Sequence, residues 1–140
     1  MRHAFDALFR AICLTLMLWV PAHAQEARNP EIEATIQNQF DAFLAEDAAR
    51  AFTYASPMIK GIFGSPDNFG AMVRQGYPMV WDPAEVRMLD LRRENGRLSQ
   101  RVMVTDQGGR THILDYKMLE AAEGWQIDGV ELLEQSGVGA

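Results

Sequence analysis

The chain is poor in the residues from which small proteins build reactive centres. It has one cysteine, Cys13, and three histidines among 140 residues. A disulfide framework is therefore excluded, and the fold must be held by its core. His112 is the sole histidine after residue 24; a lone imidazole without a cysteine cluster does not make a zinc site, so no bound metal is expected. Glycine-rich phosphate loops, a nucleophile elbow and the paired histidine-glutamate helix motif are all missing, and no cofactor is implied. Basic charge is also short, with 13 Lys and Arg against 19 Asp and Glu and a net charge of −6. That balance argues against nucleic acid or anionic lipid as a partner.

Long hydrophobic runs are lacking too. The apolar stretch from Ala11 to Val20 is about half the roughly 20 residues that a spanning helix needs. With Arg2 and Arg10 before it and Pro21-Ala22-His23-Ala24 after it, the stretch reads as a secretory signal peptide cleaved after Ala24. Arg10-Ala11-Ile12 before Cys13 is not a lipobox, so no lipid anchor is expected. The expectation is a periplasmic or secreted protein, with residues 25–140 forming one domain and no membrane span after cleavage.

The exported part divides into helical and strand-like halves. Asn29-Pro30 reads as an N-cap followed by proline at the first helical position, and Ile32, Ile36, Phe40, Phe43 and Leu44 form one stripe. Asp47 can cap an Ala-rich helix that turns Ala48, Ala51, Phe52 and Ala55 inward. Ser56-Pro57 starts a short turn with Ile59, Ile62 and Phe63, ending at Gly64. Ser65-Pro66 starts another with Phe69, Met72 and Val73, ending at Gly76.

From Glu85 the period becomes two, and Asn95-Gly96, Gln107-Gly108-Gly109 and residues 120–124 mark turns. Four strands near 85–94, 97–106, 110–119 and 124–133 form an antiparallel meander. A two-residue Asn95-Gly96 loop sets Leu89 opposite Val102, Asp90 opposite Arg101 and Leu91 opposite Gln100. A three-residue second loop sets Val102 opposite Leu114, Arg101 opposite Asp115 and Gln100 opposite Tyr116. The core face then carries Leu89, Leu91, Leu98, Val102, Val104, Leu114, Tyr116, Met118, Trp125 and Ile127. The outer face carries the row Asp90, Arg101, Asp115, beside Met88, Met103 and Ile113. That second row reads either as scattered exposure or as a covered surface through which a homodimer forms. Asp128-Gly129 breaks the alternation of the last strand and predicts a bulge.

Helices followed by a curved meander make an α+β roll. With "AFTYASPMIKGIFGSPDNFGAMVRQGYPMVWDP" (51–83), "QRVMVTDQGGRTHILDYKM" (100–118) and "GWQIDGVEL" (124–132), the chain resembles the DUF4864 family of bacterial exported proteins. The resemblance implies an NTF2-like cone, in which N-terminal helices pack on a curved four-stranded antiparallel sheet. It implies no reaction, since that superfamily mixes isomerases, dehydratases and non-catalytic binding modules.

In "GYPMVWDP" (76–83), Pro78 suggests an extended exit on which Tyr77, Met79 and Trp81 share one side and Val80 the other. The segment can close the core, wall a ligand pocket or, least in keeping with its residues, act as a catalytic loop. Candidate ligand-binding residues are Tyr54, Tyr77, Met79, Trp81, Gln100, His112 and Tyr116, with Asp41 approaching from the first helix. Their expected partner is a small apolar or amphipathic molecule. The enzyme alternative is proton transfer of the isomerase or dehydratase type by His112, Tyr116 and Asp128. His112 and Tyr116 lie about 13 Å apart along one strand, so they cannot share a reacting atom without help.

Overall fold

In the computed structural model, residues 25–136 are described, with side chains through Leu133. The expected signal peptide, Cys13 and the cleavage point after Ala24 lie outside the described residues. Five helices come first: α1 (Pro30–Leu44), α2 (Ala48–Thr53), α3 (Pro57–Phe63), α4 (Pro66–Gly76) and α5 (Pro78–Trp81). A short β1 (Gln25–Glu26) precedes them, and β2 (Glu85–Glu94), β3 (Arg97–Thr105), β4 (Thr111–Ala121) and β5 (Gly124–Ser136) follow. The strands form one antiparallel sheet in chain order, with β1 added to the edge of β2 through Gln25 opposite Arg92. The sheet has five strands rather than four because this short N-terminal segment pairs with the exposed edge of β2.

The first four helix starts are chemically marked. Asn29 accepts from the N–H groups of Glu31 and Ile32, Asp47 from Arg50, Ser56 from Ile59 and Ser65 from Asn68. These side-chain oxygens satisfy donors that the first helical turn leaves open. Gly64 ends α3 with φ 77°, a left-handed conformation that glycine adopts without a Cβ clash. The buried stripe of α1 is Ile32, Ile36, Gln39, Phe40, Ala42 and Phe43, whereas Leu44 is half exposed. Leu44 is the last helical residue and the chain turns away there, so the face runs out one position early. Ile62 is also exposed, because α3 packs by one edge only, through Ile59 and Phe63.

The 76–83 segment departs from the extended reading. Val80 and Trp81 donate to the carbonyl of Tyr77, and Asp82 donates to that of Pro78, so Pro78–Trp81 is a helical turn. Met79 and Val80 are both buried, and Val80 does not face away from the core. The proline before which Tyr77 is held non-helical restarts the helix, as Pro57 and Pro66 do after their serines. Tyr77 makes no side-chain cap bond, so the sequence carries no oxygen to announce this start.

The β3–β4 hairpin has the expected register, with Gln100, Arg101 and Val102 opposite Tyr116, Asp115 and Leu114. Its three-residue loop is closed by the bond from the Asp106 N–H to the Arg110 carbonyl, and Gly109 takes φ 82°. The β2–β3 pairing is correct at Leu91 and Gln100 but shifts beyond it, where Met88 rather than Leu89 faces Val102. A bulge at Leu89 and Asp90 causes the shift, and Gln100 Nε2 fills it by donating to the carbonyls of Leu89 (2.9 Å) and Asp90 (3.5 Å). Met88 therefore packs against the core, and the outer row retains Met103 and Ile113, with Arg87 opposite Met103. The Asp90, Arg101, Asp115 row is not bridged by one guanidinium: Asp90 pairs with Arg92 at 2.5 Å, while Arg101 Nε and Asp115 Oδ1 have no hydrogen-bond partner. The Asp128-Gly129 bulge forms as expected, between Lys117 and Met118 on the facing strand. The final hairpin is tighter than expected, since Ala121 pairs with Gly124 across Ala122-Glu123.

The helices fill the concave side of the sheet. Phe40 meets Tyr116 at 5.9 Å, and Phe43 meets both Phe69 (5.9 Å) and Trp81 (5.6 Å). The α2–α3 corner is sewn to β5, with Ile127 N donating to Tyr54 O at 2.8 Å and Ser56 N to Ile127 O at 2.9 Å. These bonds let Ser56 sit fully buried without an orphaned backbone group.

Candidate functional site

Two hollows flank α5, one on each side. The inner one, of about 270 Å³, lies between helices and sheet. Phe43 of α1, Ile59 and Phe63 of α3, and Phe69, Met72 and Val73 of α4 wall it, with Val80, Ile127 and Val130 opposite. Its polar side chains are Gln39, Tyr77 and Tyr116, and none of its lining residues is charged. Gln39 is anchored by the bond from Nε2 to the Ala51 carbonyl at 3.1 Å. The Tyr116 hydroxyl is buried and has no hydrogen-bond partner. Burial, with a contribution from Tyr77, pushes its phenol above the ordinary value, which keeps it a neutral hydroxyl.

The outer hollow is a more open cleft of about 610 Å³ between the α4–α5 end and the β3–β4 turn. Arg74, Pro78, Met79, Trp81 and Asp82 form one wall, and Asp106, Gln107, Gly108, Arg110 and His112 the other. The turn carries a built network. Asp106 Oδ1 accepts from the N–H groups of Gly108 and Arg110, both at 2.9 Å, and its Oδ2 lies 2.8 Å from His112 Nε2. The His112 bond, then the backbone donors, hold the Asp106 carboxyl below its ordinary value, so the carboxylate is the acceptor in each bond. His112 is buried, and its Nδ1 has no partner. Across the cleft the Arg74 guanidinium stacks 4.5 Å from the Trp81 ring centre.

The expected site residues are thus sorted by α5. Tyr77 and Tyr116 line the inner cavity, while Met79, Trp81 and His112 line the outer cleft. Neither hollow is lined by Gln100, Tyr54 or Asp128. Gln100 is committed to backbone carbonyls, Tyr54 packs against the core, and Asp128 pairs with Arg97 at 2.5 Å. Asp41 is exposed and accepts from Gln37. His112, Tyr116 and Asp128 do not converge on one space.

Gln39, Asp106, Arg74 and Arg110 escape the sequence reading. Gln39 had a signal, as the polar member of an otherwise apolar helical stripe. Asp106 had one too, because an aspartate two residues before a glycine pair favours a side-chain turn. The arginines had none, since their pairing depends on which segments meet.

A search of curated proteins and a search of solved structures return no match. A family model described as a domain of unknown function, DUF4864, matches residues 25–140. The match spans every described element, so the chain belongs to the DUF4864 family.

Proposed function

We propose that the domain is a non-catalytic binding module whose inner cavity holds a small, neutral, mainly apolar molecule with one hydrogen-bonding group. The observation that carries this reading is the unpartnered Tyr116 hydroxyl in a mainly apolar, uncharged hollow of about 270 Å³. A buried hydroxyl without a partner costs about 1–3 kcal/mol, a cost that a ligand oxygen would remove. An apolar cavity of about 150 Å³ admits benzene, so a two-ring molecule is within reach of this one. The absence of charge from the lining favours a neutral ligand, because a buried ion needs a counter-charge. The isomerase or dehydratase alternative is less well supported: a phenol held neutral can donate but not abstract a proton, and the Asp106–His112 pair lies on the other side of α5.

The fold we assign is an NTF2-like cone, on the basis of helices packed into a bent antiparallel sheet around a hollow. The site of action we assign is outside the cytoplasm, on the basis of the signal-like first 24 residues and a family match that begins at Gln25.

The test is titration with 1-naphthol, followed by its own fluorescence. One saturable site is expected, weakened about threefold to tenfold by Tyr116→Phe, the value of a neutral hydrogen bond. Val130→Phe, which fills the cavity, should abolish binding while leaving the circular dichroism spectrum native. Equal affinity in both variants would place the probe elsewhere and refute the reading.

A further inference from the structure

The outer cleft carries an independent set of observations. Arg74 and Arg110 stand on its opposite walls, and among the described residues neither forms an ion pair. The acids beside them are already engaged: Asp106 by His112 and two backbone donors, Asp82 by Gln107 Nε2 at 3.3 Å. Two arginines that form no ion pair thus line one concavity of a chain whose net charge is −6, beside the Asp82 and Asp106 carboxylates. Stacking on Trp81 occupies one face of the Arg74 guanidinium and leaves its in-plane N–H donors unused. Pro78 and Met79 add an apolar floor, and His112, itself 5% exposed, contributes a ring whose Nδ1 has no partner.

We propose that this cleft is a second binding site, for a small organic oxyanion: a carboxylate held between Arg74 and Arg110, with a planar apolar body against Pro78, Met79 and Trp81. Guanidinium groups recognise carboxylates through paired N–H donors, and a stacked guanidinium gives up less freedom when it does so. The two hollows therefore take different chemistries, neutral ligands inside and anionic ones outside. The α5 turn is their common wall, with Val80 on the cavity side and Met79 and Trp81 on the cleft side.

The test is titration of the protein with benzoate at low ionic strength, followed by tryptophan fluorescence, because Trp81 lies in the cleft. Saturable binding is expected, with an affinity about tenfold or more weaker in Arg74→Gln and in Arg110→Gln, and weakened by added salt. Inorganic phosphate serves as the second probe. If benzoate competes with it and binds more tightly, the apolar floor contributes as proposed; phosphate binding without benzoate binding overturns the carboxylate assignment. Both arginines are exposed, so the double variant should keep its native spectrum and its 1-naphthol site. Benzoate binding unchanged in that double variant, or no saturation in the unaltered protein, would overturn the site.

Discussion

Two buried side chains with missing partners show how function and stability part at the scale of single residues. Tyr116 keeps an unpartnered hydroxyl where phenylalanine would pack as well, a tolerated cost that makes sense if a ligand completes the bond. Asp115 is different. Burial raises its carboxyl above the ordinary value, outweighing the attraction of Arg101, which faces it across the sheet. A raised carboxyl favours folding while protonated; that contribution is complete below the unfolded value near 3.9 and is lost as pH rises through the folded value. Asp115→Asn should therefore raise the melting temperature at pH 7, with the gain shrinking as pH falls through the raised folded value and gone below about 3.9. A lower melting temperature at pH 7 would show that Arg101 and Asp115 form a productive pair in solution. Asp90 and Asp106 have the opposite sign. Burial opposes the charge on Asp90 but Arg92 prevails, and His112 holds Asp106 low, so both support the fold above their unfolded values and lose that effect as pH falls.

At the scale of elements, the helix layer depends on one close approach. A Cβ at Gly70 would lie 2.9 Å from Ala48 Cβ, so α4 rests on α2 at a distance only glycine allows. Gly70→Ala should push the helices apart and cost about 1–3 kcal/mol, read as a lower denaturant midpoint with an unchanged slope. An unchanged midpoint would show that α4 shifts freely. How much of these elements was legible in the sequence depended on whether their signals were local. Asn29-Pro30, Ser56-Pro57 and Ser65-Pro66 announce helix starts through an oxygen and a ring held by neighbouring residues, and all three starts are found. Asn95-Gly96 and Gly108-Gly109 set hairpin registers in the same local way. Tyr77-Pro78 uses the ring without the oxygen, and alternation of large side chains imitated a strand. The Leu89–Asp90 bulge was illegible because Gln100, on another strand, holds its carbonyls. The candidate site depends on the same non-local information: Tyr77 and Tyr116 line one hollow and Trp81 and His112 the other, and no local signal tells which side of α5 each one serves.

Taken together, the described residues form a bent sheet of five strands closed over by short helices that leave space between the two layers. Bulges at Leu89–Asp90 and Asp128 add curvature, and the proline-started helices, none longer than α1 with its 15 residues, turn corners across the concave side. Short helices tile such a surface imperfectly, so a hollow remains where Phe43, Phe69 and Tyr116 approach without filling it. On the function proposed above, this hollow is a ligand site rather than a packing defect. The most direct measurement is a crystal structure of the protein soaked with 1-naphthol. The ring system is expected between Phe69 and Val130, with its oxygen at hydrogen-bond distance from the Tyr116 hydroxyl. A cavity collapsed by inward movement of Ile59 and Phe63, with the probe absent or bound only on the surface, would contradict it.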